Sequence, residues 1–251
     1  MEIDKIVIKT GNFYEVYAYA NPIQIDNKYR LTKPKRKQTK QRKDNKEITD
    51  IYVKKAASRA KNKIRRLIVG NMWQATERLR FVTLTFHKAI EDLNTANYEF
   101  KKFRQVLNRK IHTDLSYVAV PEIQEKRKKK YGHSVWHYHY ISFNQPYIKT
   151  HDLEKIWGHG RCWINEVYKT DGTGNYLSKY LSKSYADPRM KNKKRYYNAV
   201  QHQPQSVYHP QATALLHQHL LESANPVQDY PLFKNNNKEL PVGHKYEFIS
   251  L

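Results

Sequence analysis

Residues 134–143 read Ser-Val-Trp-His-Tyr-His-Tyr-Ile-Ser-Phe, and this run of β-branched and aromatic residues predicts a strand. Side chains alternate across a strand, so His137 and His139 share one face with Val135 and Ile141, while Trp136, Tyr138 and Tyr140 share the other. One face is thus large and apolar, suited to burial, and the other sets two imidazoles side by side. Leu115 to Gln124 reads as a preceding strand, joined to the first by the loop Glu125–His133. Pairing through that loop brings Glu122 toward the histidines, with Gln124 two residues further along the same face. Two neutral imidazoles suit a divalent metal if a third ligand arrives from a neighbour, and either Glu122 or Gln124 can supply it. A His-x-His pair taken alone is equally at home as ordinary packing, so the reading needs its surroundings.

Outward from the hairpin, Leu79 to Phe86 is an apolar strand with Thr83 and Thr85 on alternate positions. Asn94 to Ile111 has helical periodicity and an expected cap at Asn94 or Thr95. A short helix, Asp152 to Trp157, leads through Gly158-His159-Gly160 into a strand, Arg161 to Val167, and Asp171 to Tyr185 reads as a helix stopped before Pro188. Strands paired by hairpins with interspersed helices imply an α+β class, a central antiparallel sheet flanked by helices. Toward the N-terminus, Lys5 to Thr10 and Phe13 to Ala20 form a hairpin about Gly11-Asn12, and Glu47 to Val69 an amphipathic helix with a cationic side, ended by Gly70-Asn71. From Asp187 onward the chain is polar and aperiodic apart from a helix around Ala212 to Ser223. Three parts are expected: a basic N-terminal extension over 1–70, a compact unit over 71–186 and a C-terminal extension over 187–251. No phosphate-binding P-loop is present, which excludes a fused helicase motor of that type.

Charge narrows the partner. Lys and Arg outnumber Asp and Glu by 46 to 23 over 251 residues, a net charge of +23, and such a surface attracts a polyanion. The excess is concentrated near the N-terminus, where residues 28–46 hold ten basic residues against Asp44. Lys33, Lys35, Arg36 and Lys37 in that arm are candidate phosphate contacts, as are Lys126, Arg127, Lys128, Lys129 and Lys130 in the hairpin loop. Cys162 is the only cysteine, which excludes an internal disulfide and a Cys-rich zinc site and fits a reducing cytoplasm. No apolar run reaches 18 residues and no export pattern opens the chain, so no membrane partner is expected.

Residues 174–183 read Gly-Asn-Tyr-Leu-Ser-Lys-Tyr-Leu-Ser-Lys. On a helix Tyr176 and Tyr180 project from one face at i,i+4, and Lys179 and Lys183 follow each at i+3. That places two hydroxyl nucleophiles beside cations; the plainer reading is the buried side of an amphipathic helix with solvated lysines.

An apolar Thr-rich strand, a Glu with a His-aromatic-His strand, and a Tyr-x-x-Lys-Tyr-x-x-Lys helix, in that order between Leu79 and Lys183, resemble the HUH endonucleases. The paired tyrosines are similar to those of initiators of rolling-circle replication from plasmids and single-stranded DNA phages. The resemblance implies His137, His139 and Glu122 as ligands of Mn²⁺ or Mg²⁺, with Gln124 as the alternative third ligand, and Tyr176 and Tyr180 as nucleophiles. It further implies single-stranded and duplex origin DNA as partners, with a host helicase as a further candidate. A relaxase or single-strand transposase shares this chemistry, and a non-catalytic nucleic-acid binder would use the same basic and aromatic residues for contact alone.

Overall fold

The computed structural model describes residues 2–24, 46–124, 132, 134–168, 188–190, 193–207, 209–223, 228–233 and 241–249. The chain is α+β and divides into two compact units, one of residues 46–201 and one that joins 1–45 to 202–251.

In the 46–201 unit, strands β3 (Leu79–Thr85), β4 (Tyr117–Gln124), β5 (Val135–Ser142), β6 (Cys162–Val167) and β7 (Tyr197–Ala199) form an antiparallel sheet in the order β6-β3-β5-β4-β7. Helix α2 (Leu93–Ile111) covers the Tyr138 face. Its buried residues Leu93, Ala96, Phe100, Phe103 and Leu107 fall on the three-and-four spacing of one helical stripe. Phe100 stacks on Tyr138 with ring centroids 4.4 Å apart, and Phe103 meets Trp157 edge-on at 5.6 Å. The one polar atom of the Tyr138 side chain is answered by Asn97 of α2, which accepts its hydroxyl at 2.5 Å. The α2 cap is Asp92, not the expected Asn94 or Thr95. Its carboxylate accepts from both the backbone N–H and the hydroxyl of Thr95 at 2.8 Å, so one side chain at the N-cap holds two donors of the first turn.

Helix α1 (Lys46–Met72) belongs to this unit and not to an N-terminal extension. It lies against β4, and its stripe of Ala60, Ile64, Leu67 and Ile68 is buried. Val118, Val120 and Ile141, which share the histidines' face of the sheet, are buried too. The helix continues past Gly70 to Met72, with Asn71 donating back to the Leu67 carbonyl at 2.8 Å. No helix among the described residues is long and apolar enough to cross a membrane.

The second unit corrects the division expected at residues 70 and 187. Hairpin β1 (Glu2–Thr10) and β2 (Phe13–Gln24) is joined by β8 (Gln205–Val207), β9 (Gln228–Phe233) and β10 (Pro241–Ile249) into one antiparallel sheet, in the order β8-β1-β2-β10-β9. Helix α4 (Pro210–Ser223) packs Leu220 and Leu216 against Val7, Val16 and Phe248. On the other face Glu15 and Glu247 stand opposite each other, and Lys245 reaches a carboxylate oxygen of each at 2.5 Å. Burial alone would lower the Lys245 pKa; the two carboxylates overcome that and hold the ammonium above its ordinary value. The N- and C-terminal stretches are therefore two parts of one sheet.

A candidate nucleic-acid site on the open sheet face

Strand β5 makes the site by alternation: the register that buries Tyr138 and Tyr140 against α2 turns His137 and His139 to the opposite side. Across β3, His139 stands opposite Thr83 and His137 opposite Thr85; across β4, they stand opposite Val120 and Glu122. The hydroxyl of Thr83 lies 2.9 Å from His139 Nδ1, and Phe81 stacks near the same ring at 5.7 Å. His139 Nε2 lies 2.5 Å from Glu122 Oε2. Glu122 thus engages the histidine diagonal to it as well as sharing a register position with His137, a reach open to a long side chain across an antiparallel pair. Gln124 stands opposite Val135, two residues further along β4. Its place leaves it on the same face as Glu122 but beyond the histidine pair.

The donor chemistry fits a divalent cation. With its proton on Nδ1 and given to Thr83, His139 turns a bare Nε2 toward the carboxylate, and two acceptors that close require a proton or a cation between them. Adjacent ligands each ~2.1 Å from an ion stand about 3 Å apart, so this pair opens by roughly half an ångström to admit one. Among the described residues no three His, Cys, Asp or Glu side chains are gathered closely enough to hold a metal ion.

The floor beneath His137 is clamped from the next strand. Helix α3 (Thr150–Trp157) ends at Gly158, whose φ of 71° takes the left-handed cap position that glycine favours. Trp157 Nε1 then donates to the Thr85 carbonyl at 2.6 Å, and Thr85 exchanges bonds with Arg161 at 3.0 and 3.1 Å through backbone and hydroxyl. Gly160 is required at this crossing, because a Cβ there would lie 2.3 Å from the Thr85 carbonyl oxygen. The Trp-Gly-His-Gly lead-in is therefore a device that fixes Thr85, directly opposite His137.

The clamp also aligns two residues to which the sequence reading gave no role. Arg161 continues β6 opposite Thr85, and Trp163 stands opposite Thr83, so both share the face of the histidines. Both are exposed, Trp163 at 50% of its surface. Alternation along Arg161-Cys162-Trp163 was readable, but which face it joined depended on the β3–β6 register. Cys162 points the other way, into the α2-covered core, where burial pushes its thiol up to about 12 and removes it from thiolate chemistry. A cleft of about 830 Å³ at the far end of the strands, lined by residues including Asn71, Glu77, Asp114 and Asn144, contains none of the predicted site residues.

Tyr176, Tyr180, Lys179 and Lys183 lie outside the described residues, as do Lys33, Lys35, Arg36 and Lys37 of the arm and Lys126, Arg127, Lys128, Lys129 and Lys130 of the loop. Of the predicted site residues, the structure brings together His139 and Glu122, sets His137 opposite Glu122, and leaves Gln124 at the rim.

Fold and site together define an α+β domain whose sheet is sealed on one face by α2 and presents a His–Glu cluster on the other. Residues 79–185 match the Replication-associated protein ORF2 family, and over that segment the chain carries a domain of this family, which supports a role as a replication initiator. No curated protein matches the chain. The crystal structure of the hypothetical protein ORF119 from Sulfolobus islandicus rod-shaped virus 1 is similar over 51% of this chain and 91% of that one, at 17% identity and a TM-score of 0.33.

Proposed function

We propose that the protein initiates rolling-circle replication by nicking single-stranded origin DNA through tyrosine attack, and rejoins the strand at termination. The observation that carries this reading is the His139–Glu122 contact on a sheet face of a replication-associated domain that also contains Tyr176 and Tyr180 in its matched segment. His137, His139 and Glu122 would hold a divalent ion, Mn²⁺ or Mg²⁺, which offsets charge on the scissile phosphate when bound.

The tyrosine hydroxyl attacks phosphorus, the bond to the 3′ oxygen breaks, and the products are a 5′-phosphotyrosine ester and a strand ending in a 3′-hydroxyl that can prime synthesis. The phenol gives up its proton and the departing oxygen gains one, so the step is a balanced transesterification that conserves the phosphodiester for rejoining. A tyrosine at its ordinary pKa of ~10 is protonated at neutral pH, and Lys179 and Lys183 supply positive charge beside the forming phenolate. Thr83 holds the His139 ring in orientation, the role an outer hydrogen bond has at metal sites. The second tyrosine allows a further strand transfer before the first ester is resolved.

The test is covalent capture. Incubated with a single-stranded origin oligonucleotide and Mn²⁺, the wild-type protein yields a denaturant-resistant adduct, each single Tyr176→Phe or Tyr180→Phe variant yields less, and the double variant yields none. An undiminished adduct from the double variant refutes the nucleophile assignment.

A further inference from the structure

We propose that Arg161 and Trp163 form a binding track for single-stranded DNA along the β6 rim of the sheet, on which Trp163 stacks a base while Arg161 takes a backbone phosphate. The inference rests on the nicking reading only for its location, beside the strand that the histidines would act on.

Three observations converge on these residues. Trp163 is half exposed, whereas Trp136 and Trp157 are buried in the core of the same unit. An indole left in water on an edge strand costs solvation that a stacked base recovers, and stacking tolerates any base because every base has a π face. The second observation is register. Trp163 lies opposite Thr83, which holds His139, and Arg161 lies opposite Thr85, which faces His137. Two strand spacings, about 10 Å, separate the rim from the histidine strand, so a nucleotide next to a phosphate held at the histidines falls over Trp163. The third is charge. Arg161 is exposed, no carboxylate among the described residues pairs with it, and the whole chain carries +23. The occupant these features select is a polyanion that also offers flat aromatic faces unpaired on one side. A single strand meets that description and a duplex, with its bases stacked inside, does not.

Gly160 gives the track its rigidity. The close crossing of its backbone over Thr85 fixes where β6 begins, and with it the height of Arg161 and Trp163 relative to the histidine row.

Titration of the full-length protein with oligo-dT, followed by anisotropy of the labelled oligonucleotide and by tryptophan fluorescence, tests the track. The expected result is that Trp163→Ala weakens single-strand binding roughly five- to hundredfold. The same variant leaves duplex affinity within about twofold and its thermal midpoint near wild type, while Trp163→Phe keeps most of the affinity. Arg161→Ala should lower the slope of log affinity against log salt by about one. Wild-type oligo-dT binding by Trp163→Ala overturns the proposal, and so does an equal loss on duplex and single strand. Tighter discrimination on an oligoribonucleotide than on DNA would reassign the track to RNA and also overturns it. The adduct assay separates this inference from the nicking reading. A selective binding loss in Trp163→Ala with no wild-type adduct sinks the chemistry and leaves the track, whereas wild-type adduct with unchanged Trp163→Ala binding does the reverse.

Discussion

The two faces of the β6-β3-β5-β4-β7 sheet are built by the same strands and could hardly differ more. On one, Phe100, Phe103, Tyr138, Tyr140 and Trp157 are at most 3% exposed and pack ring against ring. On the other, Glu122, Thr83 and His139 form a polar chain bordered by exposed Arg161 and Trp163. Alternation lets each strand invest one set of residues in stability and the next in chemistry, so the two can be damaged separately. A substitution on the aromatic face is expected to appear in the unfolding curve, and one on the polar face in nicking and binding.

The largest expected effect tests that separation with a pair of variants. Phe100→Ala removes the ring stacked on Tyr138 and should cost about 3–5 kcal/mol of stability, with nicking per folded molecule nearly unchanged. Glu122→Gln keeps the shape but removes the negative charge that faces His139, and should lower the nicking rate ~100-fold or more while moving the thermal midpoint little. Measuring both quantities for both variants decides the matter. If Glu122→Gln unfolded the domain as readily as Phe100→Ala, the His139–Glu122 contact would be structural and the division between faces would fail.

Gly160→Ala is the next largest and the one variant expected to register on both faces. Its Cβ meets backbone, with the Thr85 carbonyl oxygen at 2.3 Å and the His87 nitrogen at 3.0 Å, so the chain must move. A loss of about 1–3 kcal/mol is expected from overpacking, together with reduced nicking, because Thr85 and Arg161 shift relative to His137. Wild-type nicking at wild-type stability would mean that the clamp does not set the height of β6.

How much of this was legible beforehand follows from where each signal is stored. The strand of Trp136, Tyr138 and Tyr140 announces itself because period-two burial is written in adjacent residues, and the α2 stripe because its helical period is too. Glu122 was placed near the histidines by a hairpin only a few residues long. Its contact with His139, rather than solely with the residue directly opposite, is a matter of side-chain reach that strand pairing does not specify. The β8-β1-β2-β10-β9 sheet was hidden for a different reason. Its partners come from opposite ends of the chain, Pro231 and Pro241 sit in its outer strands, and Glu15, Lys245 and Glu247 occupy inward positions that a hydrophobic pattern would fill with apolar residues. Lys245 neutralises what burial would otherwise forbid, and that compensation exists only once β2 and β10 are paired.

The smallest effect is also the most local. Asp92 caps α2, the helix that seals the aromatic face, and the backbone N–H and hydroxyl of Thr95 hold its carboxyl below the ordinary value of 3.8. A carboxylate whose pKa falls on folding contributes stability that is present above its unfolded pKa and is lost as pH falls through the folded one. Asp92→Asn keeps a capping oxygen without the charge. The wild-type protein should therefore exceed this variant in thermal midpoint by a small margin near pH 6, and the margin should close as the pH is lowered below about 4. Because the cap acts on the sealed face, oligo-dT affinity near pH 6 should be the same for both proteins. A margin independent of pH would show that the charge of Asp92 is not what holds the first turn, and a change in affinity would show that α2 and the Trp163 rim are coupled through the sheet.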